Sequence, residues 1–279
     1  MPLMRGAKLS PRHILAAATP HVAAPVPASF FRLAQTPLPM FGNDQYGDCV
    51  TAEEYTAKAG DGHLGTDAEA INTAGKWGGL NGVDLSTILD YAAQGFAVGG
   101  QQLADGGKQT VNYTDWASLT SAIYQGQVKI AVAASQLQNA GAGRGTGWFL
   151  TDATRDPGID HCIGVAGYGS LADCCAAIGV LISSAADASI LCLIVETWGG
   201  YGIVSYSALL AIMNSTPQAG NSEAWLRVPT TVGPAPGPTP TPTPPPTPTP
   251  GPCPWRQSDV EDFAHAITRG VARAFRSLS

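Results

Sequence analysis

The chain has 279 residues, 44% of them hydrophobic and only 13% charged, with a formal net charge of −6. That apolar share is enough for a sizeable core, which excludes a wholly disordered chain, and the acidic balance leaves no basic footprint for nucleic acid or an anionic membrane surface. The six cysteines, Cys49, Cys162, Cys174, Cys175, Cys192 and Cys253, form no paired CxxC spacing, so neither a structural metal site nor a cofactor is expected.

In chain order, residues 1–24 read as an irregular arm. Its apolar run from Ile14 to Thr19 follows basic residues but is cut by Pro20 and His21, at about half the length of a signal-peptide core. The stretch FGNDQYGDCV, residues 41–50, is a glycine-bearing turn that hands over to a helix at Cys49. A thiol at a helix start is favoured as thiolate by the first amide N–H groups and the dipole. Asp48, Glu53 and Glu54 oppose that charge, so a reactive Cys49 requires a cationic histidine close by.

Helices are expected over residues 51–59, 85–95 and 115–125, with Gly95 and Gly126 as the stops of the last two. Short apolar runs with β-branched residues predict strands over 128–135, 161–169 and 190–198. The apolar runs Cys174 to Ala186 and Ile190 to Val195 are separated by Asp187, and each is well short of the roughly 20 residues a spanning helix needs. No membrane span is expected, and the cysteines in these runs read as core. Helices come early and strands late, which argues for an α+β protein, with residues 25–230 as its domain.

Residues 231–254 alternate proline and threonine with almost nothing apolar to bury, an extended spacer of about 3.1 Å per residue. Within residues 255–279, a helix is predicted over 258–278. Val260, Phe263, Ile267, Val271, Phe275 and Leu278 share one of its faces, and a capping box runs from Ser258 to Glu261. Such a stripe needs cover, so docking to a protein partner or self-association through this helix is expected.

The segments NDQYGDC, GIDHCIGVAGYG and LIVETWGGYGIVSY, in that order over roughly residues 37–207, resemble the papain-like cysteine peptidases. The resemblance implies a helical N-terminal half packed on a C-terminal antiparallel β-sheet or barrel half, with the site in the cleft between them. It places Cys49 as nucleophile, His161 as general base, and Asn43 or Gln45 as oxyanion donor. Glu196, standing where the family has asparagine, would orient the histidine, and Trp198 would shield the pair. It implies a peptide or protein substrate cleaved through a thioester, without a cofactor; as a departure from the family, no long inhibitory pro-segment is expected. The departures at Asn43, Val50 and Glu196 carry the alternative, a papain-like scaffold without turnover that serves as a binding module.

Overall fold

The helical periodicity and the short β-branched runs become one layered body in the computed structural model, which describes residues 3–35, 37–181 and 187–228. The elements are β1 (Ala7–Lys8), α1 (Arg12–Ala17), β2 (Phe30–Phe31), α2 (Cys49–Gly60), α3 (Asp67–Lys76), β3 (Val83–Asp84), α4 (Leu85–Gln94), β4 (Phe96–Val98), β5 (Gln101–Leu103) and β6 (Lys108–Thr110). They continue with α5 (Trp116–Gln125), β7 (Gln127–Val132), α6 (Ser135–Ala140), β8 (Trp148–Leu150), β9 (His161–Ser170), α7 (Leu171–Ile178), β10 (Leu191–Thr197), β11 (Gly200–Ser205), α8 (Tyr206–Ile212) and β12 (Ala224–Arg227). All described residues belong to one compact unit, Met1–Val232. The proline spacer, the predicted helix over 258–278 and Cys253 lie outside the described residues.

Local chemistry sets the helix starts. Asp84 and Asp115 accept the backbone N–H of Thr87 and Ser118, while Thr66 with Glu69 and Ser170 with Asp173 form capping boxes. α2 differs, because Asp48 makes no side-chain cap bond and the helix opens on Cys49 with its first amides uncapped by a side chain.

The main sheet runs in the order β6-β12-β7-β9-β10-β11-β8, with β2 also on β9. It is mixed, since β8 joins β11 parallel while the other neighbours are antiparallel. Among the described strands nothing pairs β6 with β8, so the barrel form of the expectation gives way to an open sheet. β9 is the central strand and is buried along its whole length up to Gly169, as a strand covered on both faces must be. One apolar cluster joins Leu119, Ile123, Val128, Ile130, Ile163 and Leu193, and a second puts Cys174, Cys175 and Cys192 together with Ile194 and Ile203. All five described cysteines are buried and free. No described helix is long and apolar enough to cross a membrane.

The N-terminal arm is not irregular throughout. β1 pairs β3 in parallel and α1 follows, so residues 7–17 have regular elements where the sequence offers no periodic pattern.

α2 is held to the sheet by charge as well as by apolar contact. Lys129 of β7, 2% exposed, donates to the carboxylate of Glu54 and to Val50 O at 2.8 Å and lies 3.1 Å from Glu53 Oε2. Arg227 of β12 extends the network to Asp61 at 3.0 Å and Asp105 at 3.6 Å, and Lys58 meets Asp105 at 2.5 Å. Removing one partner of a buried ion pair strands the other, at about 3–5 kcal/mol. Lys129→Met should therefore destabilise the domain by about that amount in urea unfolding. A loss under about 1 kcal/mol would show that the network does not hold α2 in place.

Candidate active site

Cys49 opens α2 and His161 opens β9, and no hydrogen bond joins the two side chains; the strand residue nearest the thiol is Cys162. Cys49 shares an apolar cluster with Val50, Ala131, Trp225 and Cys162, the residue after His161. The backbone of Cys162 lies within hydrogen-bonding reach of its thiol. His161 is fully buried, with its Nε2 2.6 Å from Thr197 Oγ1 and its Nδ1 without a hydrogen-bond partner. Trp198 stacks on the imidazole at 3.9 Å between ring centres and 12° between planes.

A cavity of about 10 Å³, room for roughly one water, lies between the start of α2 and the β10–β11 turn. Met40, Asn43, Cys49, Glu53, Glu196 and Thr197 are among the residues that line it. Asn43 is buried there beside Cys49 with its Oδ1 unpaired, whereas Gln45 is exposed and outside the lining. Of the two amides named from the sequence, Asn43 is the one that lines the same cavity as Cys49.

Glu196 is placed differently from the expectation. It makes no hydrogen bond to His161, and both its carboxyl oxygens are buried and unpaired. The reason is strand parity. Glu196 pairs with Gly164, three residues from His161, so the two side chains leave opposite faces of the sheet, and Thr197 takes the histidine's side. A bulge between Ile194 and Val195 sets that register. Glu196 instead meets Glu53 across Gly164, where a Cβ would lie 2.5 Å from one carboxylate and 2.8 Å from the other. Burial and the neighbouring Glu53 push its carboxyl well above the usual range.

The sequence reading missed what covers the thiol. Trp198 Nε1 donates to Met4 O at 3.3 Å, Met4 N donates to Asn43 O at 3.3 Å, and Ala7 N donates to Asp160 O at 3.0 Å. Arg5 pairs with Asp160 at 2.7 Å and with Gln138. Gly6 lies so close to Gly47 that a Cβ on it would sit 1.8 Å from Gly47 O. The backbone of Gly6 and Ala7 reaches the Cys49 thiol, and Cys49 is 1% exposed. The glycines at 6 and 47 are the sequence trace of this crossing, but nothing in the sequence pairs them.

Covering the site keeps its groups neutral. Burial pushes the Cys49 thiol up to about 12, with Asp48 adding repulsion, and burial together with Arg5 pushes His161 down to about 3. The thiolate–imidazolium pair expected from the helix start is therefore absent beneath the arm, since both charged forms lose their water there.

Gly6→Val should dislodge the arm, because its side chain has no room beside Gly47. Cys49 should then alkylate at least about tenfold faster, read by mass spectrometry under limiting reagent; an unchanged rate would mean that the arm does not control access. A second outcome concerns Asp48, whose unpaired carboxyl is pushed up to about 7 by burial, with Asp44 and Asp67 adding repulsion. Unfolded, it titrates near 3.9, so between those values the folded protein holds a proton that the unfolded chain has lost. Stability falls as pH rises through that window and levels off above it. Asp48→Asn should remove this loss, gaining on the order of 2 kcal/mol relative to wild type between pH 5 and 8 in urea unfolding. Parallel stability curves for the two proteins would assign the slope to other groups.

No family model matches the chain, and no curated protein matches it by sequence. Solved structures do match. Procathepsin L 3 from the larval midgut of Tenebrio molitor aligns at 18% identity over 76% of this chain and 73% of that one, with a TM-score of 0.54. The proform of a ragweed pollen cysteine protease allergen aligns at 14% over 76% and 68%, with a TM-score of 0.52. Bromelain from Ananas comosus, solved with a bound inhibitor, aligns at 15% over 73% and 100%, with a TM-score of 0.50. The chain has the papain-like cysteine protease fold.

Proposed function

We propose that this chain is a thiol hydrolase of peptide-like bonds, of the cysteine-peptidase type. The observation that carries the reading is Cys49 at the start of α2, beside the strand that His161 opens, with the imidazole held at its edge by Thr197 and on its face by Trp198. With the arm displaced and the imidazole brought within reach of the sulfur, His161 Nδ1 takes the thiol proton and the sulfur attacks the substrate carbonyl. The oxyanion is stabilised by the backbone N–H of Cys49 and the amide of Asn43. Collapse expels the amine, which takes the proton from His161 and leaves a thioester. Water, deprotonated by the same imidazole, attacks the thioester carbonyl, and the released thiolate recovers its proton.

An extended peptide is the substrate class that suits the cleft. Its backbone would use the groups that hold residues 4–7, namely Asn43 O, Trp198 Nε1 and Asp160 O. The second reading, a papain-like scaffold without turnover, draws on one observation, the near-complete burial of Cys49 in its neutral form. In that reading the predicted helix over 258–278 docks the domain to a protein partner or a second copy.

Labelling with a peptide bearing a thiol-directed electrophile separates the readings. In the Gly6→Val background the label should fall on Cys49, vanish in Cys49→Ala, and slow about a hundredfold in His161→Ala and by a smaller factor in Asn43→Ala. Labelling indifferent to His161, with no hydrolysis of a peptide library, would favour the scaffold. For the tail, deleting residues 232–279 should leave urea stability unchanged and reduce self-association in sedimentation; an unchanged sedimentation profile and partner set would remove its docking role.

A further inference from the structure

We propose that Thr197 is the positioning residue of His161, fixing the ring tautomer through its hydroxyl, a role that the sequence pattern gives to Glu196. The inference rests on the Cys49–His161 reading above for its catalytic meaning and on geometry for its substance. Three side chains compete to hold the ring, and two are committed elsewhere. Trp198 Nε1 donates to Met4 O, and Glu196 leaves the opposite face of β10 toward Glu53. Thr197 Oγ1 lies 2.6 Å from Nε2, in a buried position where a lost partner is not replaced by bulk water.

The backbone shows how Thr197 is held. Thr197 pairs with Gly200 across the β10–β11 hairpin, and the two residues between them, Trp198 and Gly199, have φ of 45° and 75°. A two-residue turn with both φ positive is the hairpin type that suits strand twist, yet a bulky tryptophan in the left-handed region is strained. That strain accompanies the clamp: consecutive residues put a hydroxyl at the imidazole edge and an indole on its face. With Nε2–H donating to the Thr197 oxygen, the lone pair is on Nδ1, the nitrogen that has no other hydrogen bond. A hydroxyl can accept or donate, so the choice comes from Nδ1: a proton there would be a buried donor without an acceptor, whereas a proton on Nε2 has the Thr197 oxygen, which adds no charge as a carboxylate would.

The test uses the full chain with 15N-labelled histidine. Ring nitrogen shifts should report the Nε2–H tautomer for His161 in wild type and in Glu196→Gln, a mixture of tautomers in Thr197→Val, and the wild-type pattern again in Thr197→Ser. In the Gly6→Val background, Thr197→Val should slow electrophile labelling of Cys49 about tenfold and Thr197→Ser less than about threefold. A wild-type tautomer in Thr197→Val, failure of serine to restore it, or a mixture produced by Glu196→Gln would overturn the proposal. If His161→Ala labels as fast as its parent, the catalytic reading fails instead, and the nitrogen shifts still decide what Thr197 does.

Discussion

The ammonium of Lys129 is the point on which the geometry of the site depends. It sits in the middle of the sheet, on the strand next to β9, and its three partners Val50, Glu53 and Glu54 follow Cys49 within five residues along α2. An apolar helix face alone would tolerate a slide or a rotation against the strands, because dispersion contacts are many and individually weak. A buried cation with two carboxylates and a carbonyl around it does not, since any shift leaves an uncompensated charge out of water. Burial pushes Glu53 above the usual carboxylate range while Lys129 pulls it back, so the network is close to balance and contributes placement more than stability. Placement is what a thiol at the end of that helix needs.

The same row of the sheet decides what lies behind the site. Lys129 pairs with Gly164, and Gly164 with Glu196, so ammonium, glycine and carboxyl stand side by side on the face that α2 covers. Gly164 has no side chain there because two glutamates converge over it. Once that face is spent on charge, the face carrying His161 has only Thr197 and Trp198 to work with. The bulge at Ile194 and Val195 is the structural event that separates the two sets.

These details mark where sequence reasoning stops. The positions of Cys49 and His161, though not their roles, were legible because a helix start after a glycine turn and a histidine heading an apolar strand are local patterns. Trp198 was legible from its place beside them. Glu196 was misplaced because parity depends on a one-residue bulge that no propensity encodes, and a shift of one residue exchanges the two faces. Which of Asn43 and Gln45 is buried depends on the fold of residues 41–47, where Phe41 and Gly42 both take positive φ. The arm was read as irregular because its hold on the domain is made of long-range backbone bonds, which carry no periodic signal. Glu53 and Glu54 were read only as opponents of a thiolate, because their partner Lys129 is distant in sequence.

The arm ties access to protonation. Burial raises the pKa of the Cys49 thiol even though the backbone hydrogen bonds of Gly6 and Ala7 lower it, and Arg5 adds a positive charge that lowers the pKa of the His161 imidazole. Both shifts act in one direction, keeping the proton on sulfur. An inert pair could arise from either effect alone, but here one segment supplies both, so water cannot reach the thiol while the imidazole still carries its burial penalty and its repulsion from Arg5. Uncovering reverses the terms together: the thiol regains the uncapped amides at the start of α2, and His161 loses the cation beside it. In the proposed uncovered state the ring would keep the tautomer that the neutral Thr197 hydroxyl accommodates, and the thiol would keep its repulsion from Asp48. On the proposed reading such a pair would draw its reactivity from the helix start and from Nδ1, and not from a carboxylate behind the histidine.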